Sequence, residues 1–129
     1  MKANELIIEA EKARKKSYSP YSGFAVGAAL LTSSGKIYYG CNIENSAYSV
    51  TLCAERVAFA KAISEGERDF VAMAIVGGKD HTLNPCFPCG VCRQLISEFC
   101  DGEFKLYLRN GEEITEYTYD EILPHRFTL

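Results

Sequence analysis

The chain has 129 residues, of which 47% are hydrophobic and 24% charged, with six cysteines and a formal net charge of -3. That length suits one domain, residues 1–129, with a single core and one active surface, and the composition excludes a disordered, collagen-like or coiled-coil chain. The acidic balance argues against nucleic acid as a partner, which calls for a basic face, and favours small substrates.

Met1 to Lys16 mixes Glu5, Glu9 and Glu11 with Lys12, Arg14, Lys15 and Lys16 and contains no apolar stretch of the kind a secretory signal needs. No later apolar run approaches the roughly 20 residues that span a bilayer, so a cytoplasmic protein with no membrane partner is expected. In a reducing compartment the six cysteines are ligands and buried thiols rather than disulfides.

Leu6, Ile7, Ala10 and Ala13 form an amphipathic stripe that predicts a helix from Asn4 to Ser17. Its basic end beside Tyr18 and Tyr21 reads as a solvated helix terminus rather than a nucleic-acid patch. Pro20 and Gly23 mark a loop, and Phe24 to Leu31, the turn Ser33-Ser34-Gly35-Lys36 and Ile37 to Cys41 predict a hairpin. Gly23 and Gly27 lack the flanking residues of a phosphate loop. Asn42-Ile43-Glu44-Asn45-Ser46-Ala47-Tyr48-Ser49 suits turn chemistry. It also suits a loop that binds hydroxyl groups, since Asn42 and Glu44 face one side of an extended segment.

A helix is expected from Cys53 to a stop at Glu65-Gly66, then a strand buried on both faces from Phe70 to Val76, with Gly77-Gly78 as the turn that leaves it. Lys79 to Phe87 is an irregular connection. Cys89 to Cys100 is helical, Phe104 to Leu108 and Glu113 to Tyr117 are strands joined at Asn110-Gly111, and a short helix from Tyr119 to Leu123 ends at Pro124. The order gives an α/β arrangement with helices packed on a central sheet.

Chemistry concentrates in two stretches. Cys86-Phe87-Pro88-Cys89-Gly90-Val91-Cys92-Arg93-Gln94 holds two overlapping Cys-x-x-Cys pairs, each able to aim two thiolates at one soft cation. Cys53-Ala54-Glu55-Arg56 adds a possible third thiolate and a carboxylate. Both stretches begin helices, whose positive ends favour thiolate over thiol. Residues two apart in a helix point to nearly opposite sides. Cys53 and Glu55 therefore address one site only if Cys53 lies just outside regular helical dihedrals, where Ser49 and Thr51 are capping candidates. Three ligands leave a tetrahedral zinc one open position, as in catalytic sites, whereas a closed four-cysteine site would have no task for Glu55. Three thiolates make the centre negative, and Arg56 can offset part of that charge.

These residues resemble the cytidine deaminases, in the small homotetrameric type with three cysteine ligands, whose zinc signature they carry. The resemblance also covers Pro20-Tyr21-Ser22, Phe24-Ala25-Val26-Gly27-Ala28-Ala29-Leu30, Gly40-Cys41-Asn42-Ile43-Glu44-Asn45 and Leu123-Pro124 with Phe127. It implies a three-layer fold, a mixed five-stranded sheet with helices on both faces, and hydrolytic deamination of cytidine and deoxycytidine to uridine and deoxyuridine in pyrimidine salvage. It further implies one Zn²⁺ per chain on Cys53, Cys89 and Cys92, Glu55 as proton shuttle, and Arg56 moderating thiolate charge. Phe24, Asn42 and Glu44 become nucleoside contacts, and Tyr48 and Phe127 reach a neighbouring subunit's site in a homotetramer. A deaminase of another aminopyrimidine nucleoside, such as blasticidin S, is the alternative, and Asn42-Ile43-Glu44-Asn45 argues for ribose. Cys86 departs from the family pattern and is expected to be a spare thiol or else a fourth ligand. Cys41 and Cys100 are expected in the core, His81 in a loop and His125 near the chain end.

Overall fold

A computed structural model describes residues 1–80 and 83–129; His81 lies outside them. The elements run α1 (Ala3–Arg14), β1 (Phe24–Thr32), β2 (Ile37–Cys41), a 3-10 turn (Tyr48–Val50), α2 (Ala54–Ser64), β3 (Phe70–Lys79), α3 (Gly90–Phe99), β4 (Lys105–Asn110), β5 (Glu113–Thr118) and α4 (Tyr119–Ile122). The five strands form one mixed sheet in the order β2-β1-β3-β4-β5, parallel between β3 and β4 and antiparallel elsewhere. The parallel step needs a long crossover, and α3 supplies it.

Strand alternation divides the core into two layers. Ala29, Leu31, Ala72, Ala74 and Val76 face α1, which buries Leu6, Ile7 and Ala10 against them. Val26, Ala28, Leu30, Met73, Ile75, Leu106 and Leu108 face the other way, under Ala54, Ala58, Phe59 and Ala62 of α2, Ile96 of α3 and Tyr119 and Ile122 of α4. The register aligns Leu30 with Met73 and Met73 with Leu106, so these side chains run in a row across three strands. Helices on both faces of a five-stranded mixed sheet are what the sequence leads one to expect.

Several boundaries differ. Helix α1 ends at Arg14 rather than Ser17, because Tyr18 turns away to bridge Ile43. Gly77 and Gly78 are not a turn: β3 continues through them to Lys79, paired with Val26 and Ala25 of β1. Arg14 holds this extension by donating to the carbonyls of Ala25 (2.9 Å) and Gly78 (2.7 Å). Thr118 and Glu121 form a capping box at the start of α4, a Thr-x-x-Glu signal present in the sequence.

Two glycines set how closely helices approach the sheet. A Cβ on Gly27 would lie 2.2 Å from the Ala10 carbonyl oxygen in α1, and one on Gly40 would lie 2.1 Å from that of Ala54 in α2. Both obstacles are helix backbone, which cannot rotate aside. Gly40→Ala must lift the first turn of α2 from β2, and overpacking of this kind costs about 1–3 kcal/mol. A lowered denaturant midpoint with unchanged slope is the expected result; a wild-type midpoint would contradict the close packing of α2 on β2.

Candidate active site

The first turns of α2 and α3 meet at the same point above the sheet. Cys53 is the last extended residue before α2 (φ -78°, ψ 151°) and Cys89 the last before α3 (φ -68°, ψ 169°). Their carbonyls accept the first helical hydrogen bonds, from Val57 N–H (3.1 Å) and Arg93 N–H (2.9 Å). An extended Cys53 turns its side chain to the same side as Glu55, which resolves the two-residue spacing. Ser49 and Thr51 do not cap α2: Ser49 belongs to the 3-10 turn, and the Thr51 hydroxyl accepts from Asn45 N–H (3.1 Å).

Cys53, Cys89 and Cys92 bring their sulfurs within 4.8 Å of one another, and Cys53 and Cys89 are 3.6 Å apart. Two sulfurs bound to one tetrahedral zinc at about 2.3 Å lie about 3.8 Å apart, so the spacing of Cys53 and Cys89 suits zinc, with Cys92 close to both. Among the described residues the group does not include Cys86. The Cys86 thiol is pushed up to about 12, by burial and then by the nearby charges of Glu55 and Cys53, which opposes the thiolate a ligand must be. All six cysteines are free thiols; Cys41 and Cys100 are half-buried rather than fully in the core.

A hydrogen bond between Cys53 and Cys92 lowers one thiol and raises the other. Hydrogen bonding from Cys92 holds the Cys53 thiol down at about 5 against the effect of burial, with further help from Cys89 and Arg56. The same contact and burial push Cys92 up. One Arg56 nitrogen bridges the Thr51 carbonyl (2.8 Å) and Cys53 Sγ (3.8 Å), so the cation is held beside the Cys53 sulfur. Arg56 Nε is buried without a partner, a loss accepted next to the anionic cluster.

Glu55 is 4% exposed. Burial pushes its carboxyl from the ordinary 4.5 up to about 7; its own backbone N–H and Cys92 hydrogen-bond against that rise, while the Cys53 charge adds to it. A carboxyl that titrates near neutrality beside a metal-ligand cluster can accept a proton and return it.

A cleft of about 340 Å³ is lined by Tyr21, Ser22, Glu44, Asn45, Tyr48 and Thr51, the last of these two residues before Cys53. Glu44 is fixed at its edge by the backbone N–H groups of Tyr21 (2.9 Å) and Ser22 (3.1 Å) and by the Ser22 hydroxyl. These contacts, the Ser22 hydroxyl first, hold its carboxyl below the usual range. Asn42 is buried, its Oδ1 accepting from Val26 N–H (2.9 Å) and the Ser17 hydroxyl, its Nδ2 donating to the Phe24 carbonyl (2.8 Å). Among the described residues Nδ2 makes that one hydrogen bond. Phe24 opens β1 and packs on the core. Tyr48 and Phe127 point outward, 78% and 66% exposed.

Sequence reasoning passed over Ser22, which orients Glu44, and gave Arg93 no role. Arg93 Nε donates to the Pro88 carbonyl (2.7 Å) and another of its nitrogens to that of Ile122 (2.7 Å), tying the segment before Cys89 to α4. Its place directly after Cys92 was the available signal. His125 lies beyond α4 in the left-handed region (φ 54°) and outside the cysteine cluster. No helix among the described residues is long and apolar enough to cross a membrane.

Residues 1–108 match the cytidine and deoxycytidylate deaminase zinc-binding region. A cytidine deaminase of Sporosarcina psychrophila is 54% identical over 129 residues, covering 99% of this chain and 93% of its own. The crystal structure of a cytidine deaminase from Burkholderia pseudomallei superposes with a TM-score of 0.90 at 41% identity, over 98% of this chain and all of that one. A blasticidin-S deaminase of Bacillus cereus is more distant, 35% identical over 108 residues, 80% of this chain and 76% of its own. The converging thiols, the buried carboxylate beside them and these likenesses along the length of the chain have one reading: the chain belongs to the cytidine deaminase family.

Proposed function

We propose that the protein hydrolyses cytidine and deoxycytidine to uridine and deoxyuridine with release of ammonia, acting as one domain over residues 1–129 with one zinc per chain. The observation that carries this reading is the meeting of three cysteine sulfurs and a buried carboxylate at two helix N-termini. Cys53, Cys89 and Cys92 hold the ion, and Cys86 stays outside its ligand set. Bound zinc makes water a nucleophile near neutral pH.

Glu55 handles the protons. Its carboxylate takes one from the attacking water and delivers it to N3 of the cytosine ring as the water oxygen bonds to C4. A second transfer through the same carboxyl completes the departing ammonia, so atoms and charge balance with one water consumed. Arg56 stabilises the Cys53 thiolate throughout. Asn42 and Glu44, the latter locked by Ser22, bind the ribose hydroxyls, and Phe24 contacts the nucleoside. The Asn42-Ile43-Glu44-Asn45 run and the greater likeness to cytidine deaminases favour these substrates over blasticidin S. The outward aromatic rings of Tyr48 and Phe127 complete a neighbouring subunit's site in a homotetramer, and the enzyme works in the cytoplasm.

Glu55→Gln should lower kcat on cytidine by about 10²–10⁴-fold, the range for lost general acid–base catalysis, while zinc content stays at one per chain. Undiminished ammonia release from this variant would remove the carboxylate from the mechanism. The same variant tests the burial of Glu55. A folded-state value of about 7 against an ordinary 4.5 means that stability is lost as pH rises through that window. In chelator-treated protein Glu55→Gln should match wild type below the window and be more stable above it, by on the order of 3 kcal/mol. Equal melting temperatures at high pH would contradict the shift.

Cys86→Ser should retain zinc and activity, whereas Cys89→Ser should lose both; equal losses would place Cys86 in the ligand set. Sedimentation should give a tetramer, with Tyr48→Ala and Phe127→Ala raising KM at unchanged zinc content. A monomer of full activity would remove the roles assigned to those two side chains.

A further inference from the structure

Gly77 sits inside β3, where glycine weakens a strand unless something needs the space above it. It is not there for backbone freedom: among the described glycines the left-handed region is used at Gly23, Gly35, Gly66 and Gly111. Its neighbours supply the reason. A Cβ built on Gly77 would lie 2.8 Å from Cys86 Sγ, 3.0 Å from Cys86 Cβ and 3.0 Å from Phe24 Cε1. Gly77 continues the row of Met73 and Ile75, on the sheet face that carries α2 and α3. The bare strand is thus covered by two side chains that meet on its surface.

Those two side chains come from the two halves of the site. Cys86 lies three residues before Cys89, in a segment whose Asn84 bridges back to Gly77. Phe24 lies at the start of β1, its N–H donating to the Ser22 hydroxyl (2.9 Å) and its carbonyl accepting from Asn42 (2.8 Å). Ser22 also holds Glu44. A change of height at Gly77 therefore reaches the ring of Phe24 and, through its anchors, the residues that face the cleft.

We propose that Gly77 is a positioning residue for substrate binding: with the small side chain of Cys86 as its filler, it sets where the Phe24 ring stands and so how the nucleoside fits. Gly77 and Cys86 form a matched pair, glycine in the strand leaving room for one sulfur and no more. The departure at Cys86 and the glycine inside β3 thereby have one explanation. This inference rests on the functional reading above.

The test is a double-mutant cycle of wild type, Gly77→Ala, Cys86→Ala and Gly77→Ala/Cys86→Ala, each measured for KM and kcat on cytidine, zinc content and thermal melting. Gly77→Ala should raise KM about tenfold while kcat changes less than about threefold, a coupling worth about 1.4 kcal/mol. Zinc stays bound. Removing the sulfur in the double variant relieves the shortest of the three contacts, so KM should fall at least about threefold from the Gly77→Ala value. Cys86→Leu, which crowds the same point from the other side, should reproduce the rise in KM with Gly77 in place, so the contact is testable even if Gly77→Ala fails to fold. An unchanged KM in both Gly77→Ala and Cys86→Leu overturns the proposal. So does a double variant no better than Gly77→Ala. Wild-type protein inert toward cytidine is a different result: it strikes the functional reading itself.

Discussion

Two helices beginning at one point is the constraint on which the rest of this structure depends. Cys53 and Cys89 each occupy the last extended position before a helix, and neither side chain caps its helix. The positive ends of both helices therefore face the sulfur cluster. Cys92, one turn inside α3, completes the triangle with Cys53 and Cys89. The scaffold holds this meeting point from below and from the side. Gly40 lets α2 settle onto β2 with backbone contact, and Arg93 fixes the segment before Cys89 by gripping the carbonyls of Pro88 and Ile122. The Tyr119 hydroxyl donates to the Arg93 carbonyl and closes that arrangement against the core.

Electrostatics at this point pulls in two directions. A cluster of thiols needs cationic surroundings to shed protons, and it finds them in Arg56 and the helix ends. The carboxyl of Glu55 needs the opposite, a dry and anionic setting, to hold a proton near neutral pH. Burial among Cys53, Cys92 and the core gives it that setting although it too lies in a helix first turn, where the dipole alone would favour the charged form. Desolvation outweighs the dipole because the side chain is almost entirely removed from water. Arg56 donates to Cys53 Sγ, and its charge is only a minor influence on the Glu55 carboxyl.

The loop proposed to bind the nucleoside is held in place by hydrogen bonds. Asn42 uses its carbonyl oxygen and one amide hydrogen on the backbone of β1 and on Ser17. Glu44 is held by three donors from the Tyr21-Ser22 turn. The turn-chemistry and hydroxyl-binding readings of this loop are thus compatible, since the bonds that shape the loop also hold Asn42 and Glu44 in place. Tyr48 and Phe127 differ: both are largely exposed, the Tyr48 ring meeting that of Tyr21 edge-on at 6.5 Å between centroids and Phe127 held through its carbonyl by Gln94.

Elements with a strong repeating pattern were legible before any coordinates. The stripe Leu6, Ile7, Ala10, Ala13, the apolar run from Phe70 and the Asn110-Gly111 turn each encode local structure in local residues, and the buried faces agree with them. The spacing of Cys89 and Cys92 and the pairing of Cys53 with Glu55 identified the chemistry, down to the requirement that Cys53 leave the helix. Glycine was misread at Gly77-Gly78 because its usual meaning, a turn, is a local statement, while its meaning here is the absence of a side chain beneath Cys86 and Phe24. The same holds for Ser22, Arg93 and the caps assigned to Ser49 and Thr51: their partners come from other segments or from a backbone path that spacing does not reveal. By itself the sequence offered the residues able to carry metal and proton chemistry, through side-chain type and short spacing, and the family resemblance chose among the cysteines. Only the tertiary structure decided that three of the six cysteines converge, that Glu55 is dry enough to titrate near neutrality, and that Cys86 stands aside against Gly77, because distance and desolvation are set by the packing of α2, α3 and β3 together.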